Sequence, residues 1–509
     1  MLAKVESRTT YGIKGCRVDV EVDVSGGIPG FSIVGLPDAA CRESAKRVIS
    51  AIRNSHFNFN SSKITVNLAP ANIKKEGSCF DLAIAVGILT ARGALQQEAL
   101  KDIIICGELS LDGIVRPVSG VLPRAMSVEK DKTFMVPSAN AAEAAMVKDC
   151  RVIPIETLNQ LASFLKGEIV LSAYKEVVKK DISGHDWVMP DFCDVKGNQH
   201  AKRAIEIATA GSHNILMIGP PGEGKTMLAQ RIPAILDDLS YEESLETTKI
   251  HSVAGLTKTN SFLIQQRPFR CLHHSVSDAG MLGGGTMLAP GEISLAHNGI
   301  LFLDELPEFK RNILEGLRQP LEDGKIQITR VTGSVEYPAK FMLVAAMNPC
   351  PCGFLTHPTK ECSCTPVQIQ HYLNKISGPL LDRIDIQIEV APLQYSQLID
   401  KNKAESSCEI KKRVMAAKRI QKLRYESLGI NSNAQLTPKY MDKFCHLTEE
   451  ASRLLKLAIT ELSLSARAYD RIRKVARTIA DMDGKELIEA VHISEAISYR
   501  SLDRKLWLE

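Results

Sequence analysis

The sequence has no apolar run long enough to span a membrane. The stretch Leu82–Leu89 falls far short of the roughly 20 residues a spanning helix needs. Met1–Thr10 carries charge early and lacks an apolar block before a small-residue cleavage site, so no secretory signal is expected. Charge of one sign is also missing. The 63 Lys+Arg and 59 Asp+Glu leave a net charge of +4, which permits a local basic surface for nucleic acid without arguing for one. The 13 cysteines are odd in number and mostly scattered, as at Cys16, Cys41 and Cys106. That suits reduced thiols in the cytoplasm better than a disulfide framework. There is no internal repeat and no low-complexity segment.

What is present is an ordinary globular composition, 44% hydrophobic and 24% charged. At 509 residues the chain is too long for one core, so two or three domains are expected. Residues 1–165 read as a compact α/β unit. Val18, Val20, Val22 and Val24 alternate with Arg17, Asp19, Glu21 and Asp23, the period of a half-buried strand. Ile64–Leu68, Ile103–Cys106 and Phe134–Val136 read as further strands. Helices are expected after Asp38, over Phe80–Arg92, near Ala139–Val147 and over Thr157–Leu165. Residues 166–190 lose the apolar period and read as a linker. Residues 191–395 alternate strand-like runs with helices, the signature of a parallel sheet covered on both faces. Residues 396–509 have almost no strand signal. Their helices open at the capping box Ser406-x-x-Glu409.

Gly219-Pro220-Pro221-Gly222-Glu223-Gly224-Lys225-Thr226 fits the phosphate-loop pattern G-x-x-x-x-G-K-S/T. Ile215–Ile218 supplies the strand before it and Met227–Ile232 the helix after it. Glycines let backbone N–H groups turn inward around phosphates, and the helix N-terminus adds a favourable dipole. Lys225 can reach the β and γ phosphates of ATP, and the Thr226 hydroxyl can ligate Mg²⁺. Ile300–Leu303 is a second buried strand, ending in Asp304-Glu305. Asp304 suits the Mg²⁺ shell, and Glu305 suits a general base on the attacking water. Asn348 closes a third strand, Phe341–Ala346, where an amide can orient that water.

Cys350, Cys352, Cys362 and Cys364 lie within fifteen residues. They read either as a tetrahedral Zn²⁺ set, with C-x-C spacing tighter than usual, or as free thiols or a redox pair. His273 and His274 would point apart on a regular element and are not read as a metal pair. Lys325–Lys340 has hairpin logic, with Ile326, Ile328, Val335 and Tyr337 alternating around Arg330-Val331-Thr332-Gly333. Lys325, Arg330 and Lys340 could face a phosphate backbone or simply keep an exposed hairpin soluble.

These pieces together resemble the AAA+ ATPases of the magnesium-chelatase-like branch, and more closely the ComM/YifB competence family, over essentially the whole chain. Asp194–Gly197, Gly219–Thr226, Pro290–His297, Leu301–Leu306, Gly378–Arg383 and Ser465–Ala468 carry the likeness. The resemblance implies that Asn348 is the sensor-1 residue. It makes Arg383 an arginine finger acting on the neighbouring subunit, and Arg467 the sensor-2 arginine of a helical lid, acting in its own subunit. It implies a homo-hexamer. Arg267–His297 would be a helix-2 insert and Lys325–Lys340 a pre-sensor-1 hairpin, both lining a pore.

The N-terminal unit resembles the Lon-protease-like, ribosomal-S5-type domain. By that likeness Cys79, after Ser78, takes the nucleophile position and Leu122 the lysine position, leaving no assembled dyad. The function implied is an ATP-driven DNA motor, a helicase promoting branch migration in recombination during natural transformation. Its expected partners are single-stranded or branched DNA and recombination proteins. A protein-remodelling or metal-chelatase-type motor is the rival reading, and an ATP-dependent peptidase a third.

Overall fold

The computed structural model describes residues 1–60, 62–174, 190–257, 263–285, 288–330, 333–392, 404–462 and 465–500. Most of the expected linker, 175–189, lies outside them, as do Val331 and Thr332 of the hairpin turn.

The N-terminal unit is a seven-stranded mixed sheet. Its strands are β1 (Leu2–Tyr11), β2 (Lys14–Ser25), β3 (Gly30–Val34), β4 (Lys63–Ala69), β5 (Ile103–Ile105), β6 (Thr133–Pro137) and β7 (Arg151–Ile155), in the order β3-β4-β2-β1-β5-β6-β7. Val18, Val20 and Val22 on β2 are fully buried, as the alternation predicts. Helix α1 (Ala39–Asn54) starts at Asp38, whose carboxylate accepts the Cys41 N–H at 2.7 Å. Helix α2 (Asp81–Ala91) is buried on all sides, which its unbroken apolar run requires. Helix α3 (Val121–Ala125) follows, and α4 (Leu158–Leu165) closes the unit. The helix expected near Ala139–Val147 shrinks to Ala141–Ala144 behind a 3₁₀ turn.

The second unit is an all-parallel five-stranded sheet. It contains β8 (Ile215–Ile218), β9 (Phe269–Leu272), β10 (Gly299–Leu303), β13 (Phe341–Met347) and β14 (Ile386–Glu389), in the order β9-β10-β13-β8-β14. Between β10 and β13 the chain makes the hairpin β11 (Lys325–Arg330) and β12 (Gly333–Pro338). Each core strand splits its side chains between two apolar layers. Met217, Phe302 and Val344 pack with α5 (Gln199–Gly211) and α6 (Lys225–Ile235). Leu216, Leu301 and Leu343 pack with Met281, Ile293 and the hairpin residues Ile326, Ile328, Val335 and Tyr337.

The expected insert begins later than Arg267. Phe269–Leu272 is the edge strand of the sheet, paired in parallel with β10, so only the segment from His273 leaves the core. A four-residue strand interrupted by Arg270 is too short and too mixed for periodicity to reveal.

Helix α7 (Tyr241–Val253) touches the N-terminal unit, where the Gly120 N–H donates to the Ser252 carbonyl at 3.0 Å. The last unit is helical: α8 (Ser407–Tyr425), α9 (Glu449–Leu462), α10 (Ala466–Met482) and α11 (Ala490–Ser498). Ser406 and Glu409 make the expected capping box. Ile410, Val414, Ile472, Val475 and Ile479 share one core with α5 and the sheet. This packing places the lid against the sheet's α5 side. No helix among the described residues is long and apolar enough to cross a membrane.

Candidate nucleotide-binding site

The loop 219–224 leaves the C-terminal end of β8 and enters α6. Gly222 and Gly224 take φ of +88° and +80°, the left-handed region that favours glycine. A Cβ on Gly219 would lie 2.3 Å from the Val390 carbonyl oxygen, so a side chain has no room there. Pro220, Pro221 and Glu223 complete the loop. Register brings the neighbouring strand tips alongside: Ile218 pairs with Met347, and the Gly219 N–H donates to the Met347 carbonyl at 3.2 Å. Asn348, one residue on, therefore sits beside the loop.

The Lys225 ammonium donates to the Gly219 and Pro220 carbonyls at 2.6 and 2.7 Å and to Asn348 Oδ1 at 3.2 Å. Burial lowers its pKa, while the charge of Asp304 works the other way. Thr226 Oγ1 donates to Asp304 Oδ2 at 2.6 Å. A hydroxyl and a carboxylate oxygen so placed are the hard donors that Mg²⁺ selects. Glu305 has φ +53°, and its backbone N–H donates to Asp304 Oδ1 at 3.0 Å. Its carboxylate points elsewhere, 3.3 Å from His274 Nδ1.

The two histidines depart from expectation. They lie in a loop after β9 rather than on a regular element, and their ring centroids are 3.9 Å apart. Sequence reading missed the His274–Glu305 contact because 31 residues separate the partners and no local pattern links them.

The arginines are elsewhere. Arg383 precedes β14, and its carbonyl accepts from Asn214 Nδ2 at 2.9 Å, just before β8 begins. That is the N-terminal edge of the sheet, about 13 Å from the phosphate loop along the four residues of β8. Arg383 ion-pairs with Glu322 and donates to the Pro379 carbonyl. Arg467, at the start of α10, reaches Asp382 at 3.3 Å. Both arginines line one open cleft of about 1620 Å³ with Asp237, Arg267, Asp385 and Arg471. Arg467, expected to act in its own subunit, therefore does not stand beside its own phosphate loop in this structure. The lid packs behind the sheet and carries Arg467 away from its own phosphate loop.

The basic hairpin residues are also dispersed. Arg330 pairs with Gly333 at the exposed tip, whereas Lys325 lies at the base opposite Pro338. Glu336 neutralises Lys325 at 2.9 Å. Lys340 lies beyond the hairpin, and its side chain lines the arginine cleft. In the N-terminal unit the tip of the β1–β2 turn meets the hairpin, where Tyr11 Oη donates to the Ser334 carbonyl at 3.0 Å. Cys79 is 2% exposed. Contact with Cys106 and burial together raise its pKa well above the ordinary thiol value. Leu122 is fully buried on α3.

The Cys350, Cys352, Cys362 and Cys364 sulfurs all lie within 4.8 Å of one another, directly after Asn348-Pro349. They form a donor set of the soft kind that zinc selects.

The chain aligns over 99% of its length with the competence protein ComM of Haemophilus influenzae, covering 98% of that protein at 44% identity. The chain belongs to the ComM/YifB family. The YifB protein of Escherichia coli is 42% identical over 99% of this chain and 98% of its own. Three family descriptions match in succession. "Subunit ChlI of Mg-chelatase" matches residues 20–140, "Magnesium chelatase, subunit ChlI" 191–398, and "Magnesium chelatase, subunit ChlI C-terminal" 404–500. The 38 kDa magnesium-chelatase subunit of Rhodobacter capsulatus is 24% identical over 31% of this chain and 50% of its own. Membership of the ComM/YifB family makes this chain a magnesium-chelatase-like AAA+ protein, and implies ATPase activity.

Proposed function

We propose that the chain is a cytoplasmic, hexameric motor that spends ATP-Mg²⁺ to move along single-stranded or branched DNA, promoting branch migration when incoming DNA recombines. The observation that carries the ring is the separation of Arg383 and Arg467 from Lys225 across the sheet. A site whose arginines face away from its own phosphate loop is completed by a neighbouring copy. The DNA assignment rests on full-length likeness to a competence protein, with recombination proteins as the expected partners.

In this reading Lys225 binds the β and γ phosphates. A magnesium ion held by Thr226 and Asp304 supplies charge neutralisation. Glu305 takes the proton of the attacking water, which Asn348 orients. Arg383 and Arg467 of the next subunit stabilise charge on the transferred phosphoryl group. The thiols of Cys350, Cys352, Cys362 and Cys364 hold a structural zinc. A protein-remodelling, chelatase-type motor is the second reading, favoured by the family matches. The buried, unactivated Cys79 speaks against a peptidase.

ATPase assays with forked DNA, a four-way junction and an unfolded protein separate the two readings. Stimulation by branched DNA with strand exchange is expected. Stimulation by protein alone would transfer the motor to the second reading.

A further inference from the structure

The cysteine knuckle touches the nucleotide site at two places. Cys350 follows Asn348 by two residues, and Asn348 is the residue that accepts from Lys225. At the other end, Gly353 turns with φ +84°, and a Cβ there would lie 2.6 Å from Pro221 Cδ. The knuckle's turn therefore rests directly on the rim of the phosphate loop. Its shape is set by the sulfurs. Cys350 Sγ lies 3.3 Å from Cys352 Sγ and 3.6 Å from Cys362 Sγ, while Cys352 and Cys362 are 3.5 Å apart. A tetrahedron with Zn–S of ~2.3 Å has sulfur–sulfur edges of ~3.8 Å, close to this spacing and far from the ~2.05 Å of a disulfide. The Cys352 N–H donates to Cys364 Sγ at 3.3 Å, closing the ring of ligands.

We propose that zinc bound by these four thiolates sets the spacing between Asn348 and the Pro221 rim, making the cysteines positioning residues for ATP. Binding exchanges four thiol protons for one Zn²⁺ and leaves a site of net charge −2. Without the metal, two C-x-C segments ten residues apart have nothing to hold them together, and both Asn348 and Pro221 lose their backing. A shift of ~1 Å in such a site can cost about 100-fold in rate. The inference rests on the nucleotide reading of Gly219–Thr226.

The test uses the full-length protein. Metal analysis should find one zinc per chain, and cobalt substitution should give the absorption of a tetrahedral thiolate site. Stripping with a chelator should weaken binding of a fluorescent ATP analogue about tenfold and lower kcat further, with both restored by zinc. Gly353→Ala keeps all four thiols. It should retain zinc yet bind ATP more weakly, because its methyl group displaces Pro221. A protein without zinc that hydrolyses ATP fully, or a zinc-loaded Gly353→Ala with unchanged ATP binding and kcat, overturns the proposal. Zinc-loaded wild type that binds no ATP would instead sink the nucleotide reading beneath it.

Discussion

Arg467 lies 3.3 Å from Asp382, the residue before Arg383, on the sheet edge opposite Lys225. Two arginines 84 residues apart in sequence thus form one group, and mixed rings can read that grouping. Arg383→Ala should still bind ATP but lose about 1,000-fold in turnover, the scale of a missing arginine finger. Mixing it with Lys225→Ala should restore activity, because some interfaces then pair an intact loop with intact arginines. Arg467→Ala mixed with Lys225→Ala should recover likewise. Arg383→Ala mixed with Arg467→Ala should stay inactive, since every interface lacks one arginine. Rescue in that last mixture would return Arg467 to its own subunit's site.

Glu305 offers a second test. Its carboxylate lies 3.3 Å from His274 Nδ1, away from the Asp304–Thr226 pair. Glu305→Gln should bind ATP with near-normal affinity and lose about 100- to 10,000-fold in kcat, the range expected of a general base. Single-turnover measurements with equilibrium nucleotide binding check both halves. Normal turnover would remove Glu305 as base. His274→Ala should alter kcat without altering ATP affinity if the contact restrains Glu305 before turnover.

The strands that carry the loop, Asp304 and Asn348 were legible because each is a short apolar run ending in a chemically distinctive residue. Ile215–Ile218 and the capping box at Ser406 appear where the pattern puts them. The position of Arg467 was not legible. Ser465 marks a helix start, and its side chain does accept the Ala468 N–H, but a cap says nothing about which side of a sheet the helix covers. That is decided by Ile472, Val475 and Ile479 joining the α5 layer, a tertiary choice with no local signal. The same holds for Phe269–Leu272, whose strand identity comes from pairing with β10.

Asp385 makes the cleft sensitive to acid. It bridges the Arg471 guanidinium and His213 Nδ1, the latter at 3.3 Å. Burial alone would raise its pKa, but Arg471 and His213 outweigh that and hold the carboxyl well below the usual range. A depressed folded pKa stabilises above the unfolded value of ~3.9 and is lost as pH falls below it. Thermal melts of wild type should therefore drop steeply below about pH 4. Asp385→Asn should be destabilised by about 1–3 kcal/mol at neutral pH, because it leaves the partly buried Arg471 guanidinium without its counter-charge, and should show a shallower acid slope. Identical slopes in both proteins would contradict the assignment.

The hairpin separates a contact residue from a structural one. Arg330 stands exposed at the tip, while Lys325 at the base is already paired with Glu336 at 2.9 Å. A phosphate contact releases counterions, so losing one lowers the slope of log affinity against log salt by about one. Arg330→Ala should weaken single-stranded DNA binding uniformly across sequences and reduce that slope. Lys325→Ala should do neither, because its charge is neutralised within the hairpin. Salt titrations of DNA binding by fluorescence anisotropy distinguish the two. Equal losses from both substitutions would mean that overall charge, and not the hairpin tip, meets the DNA. An unchanged Arg330→Ala would remove the tip from the DNA path altogether.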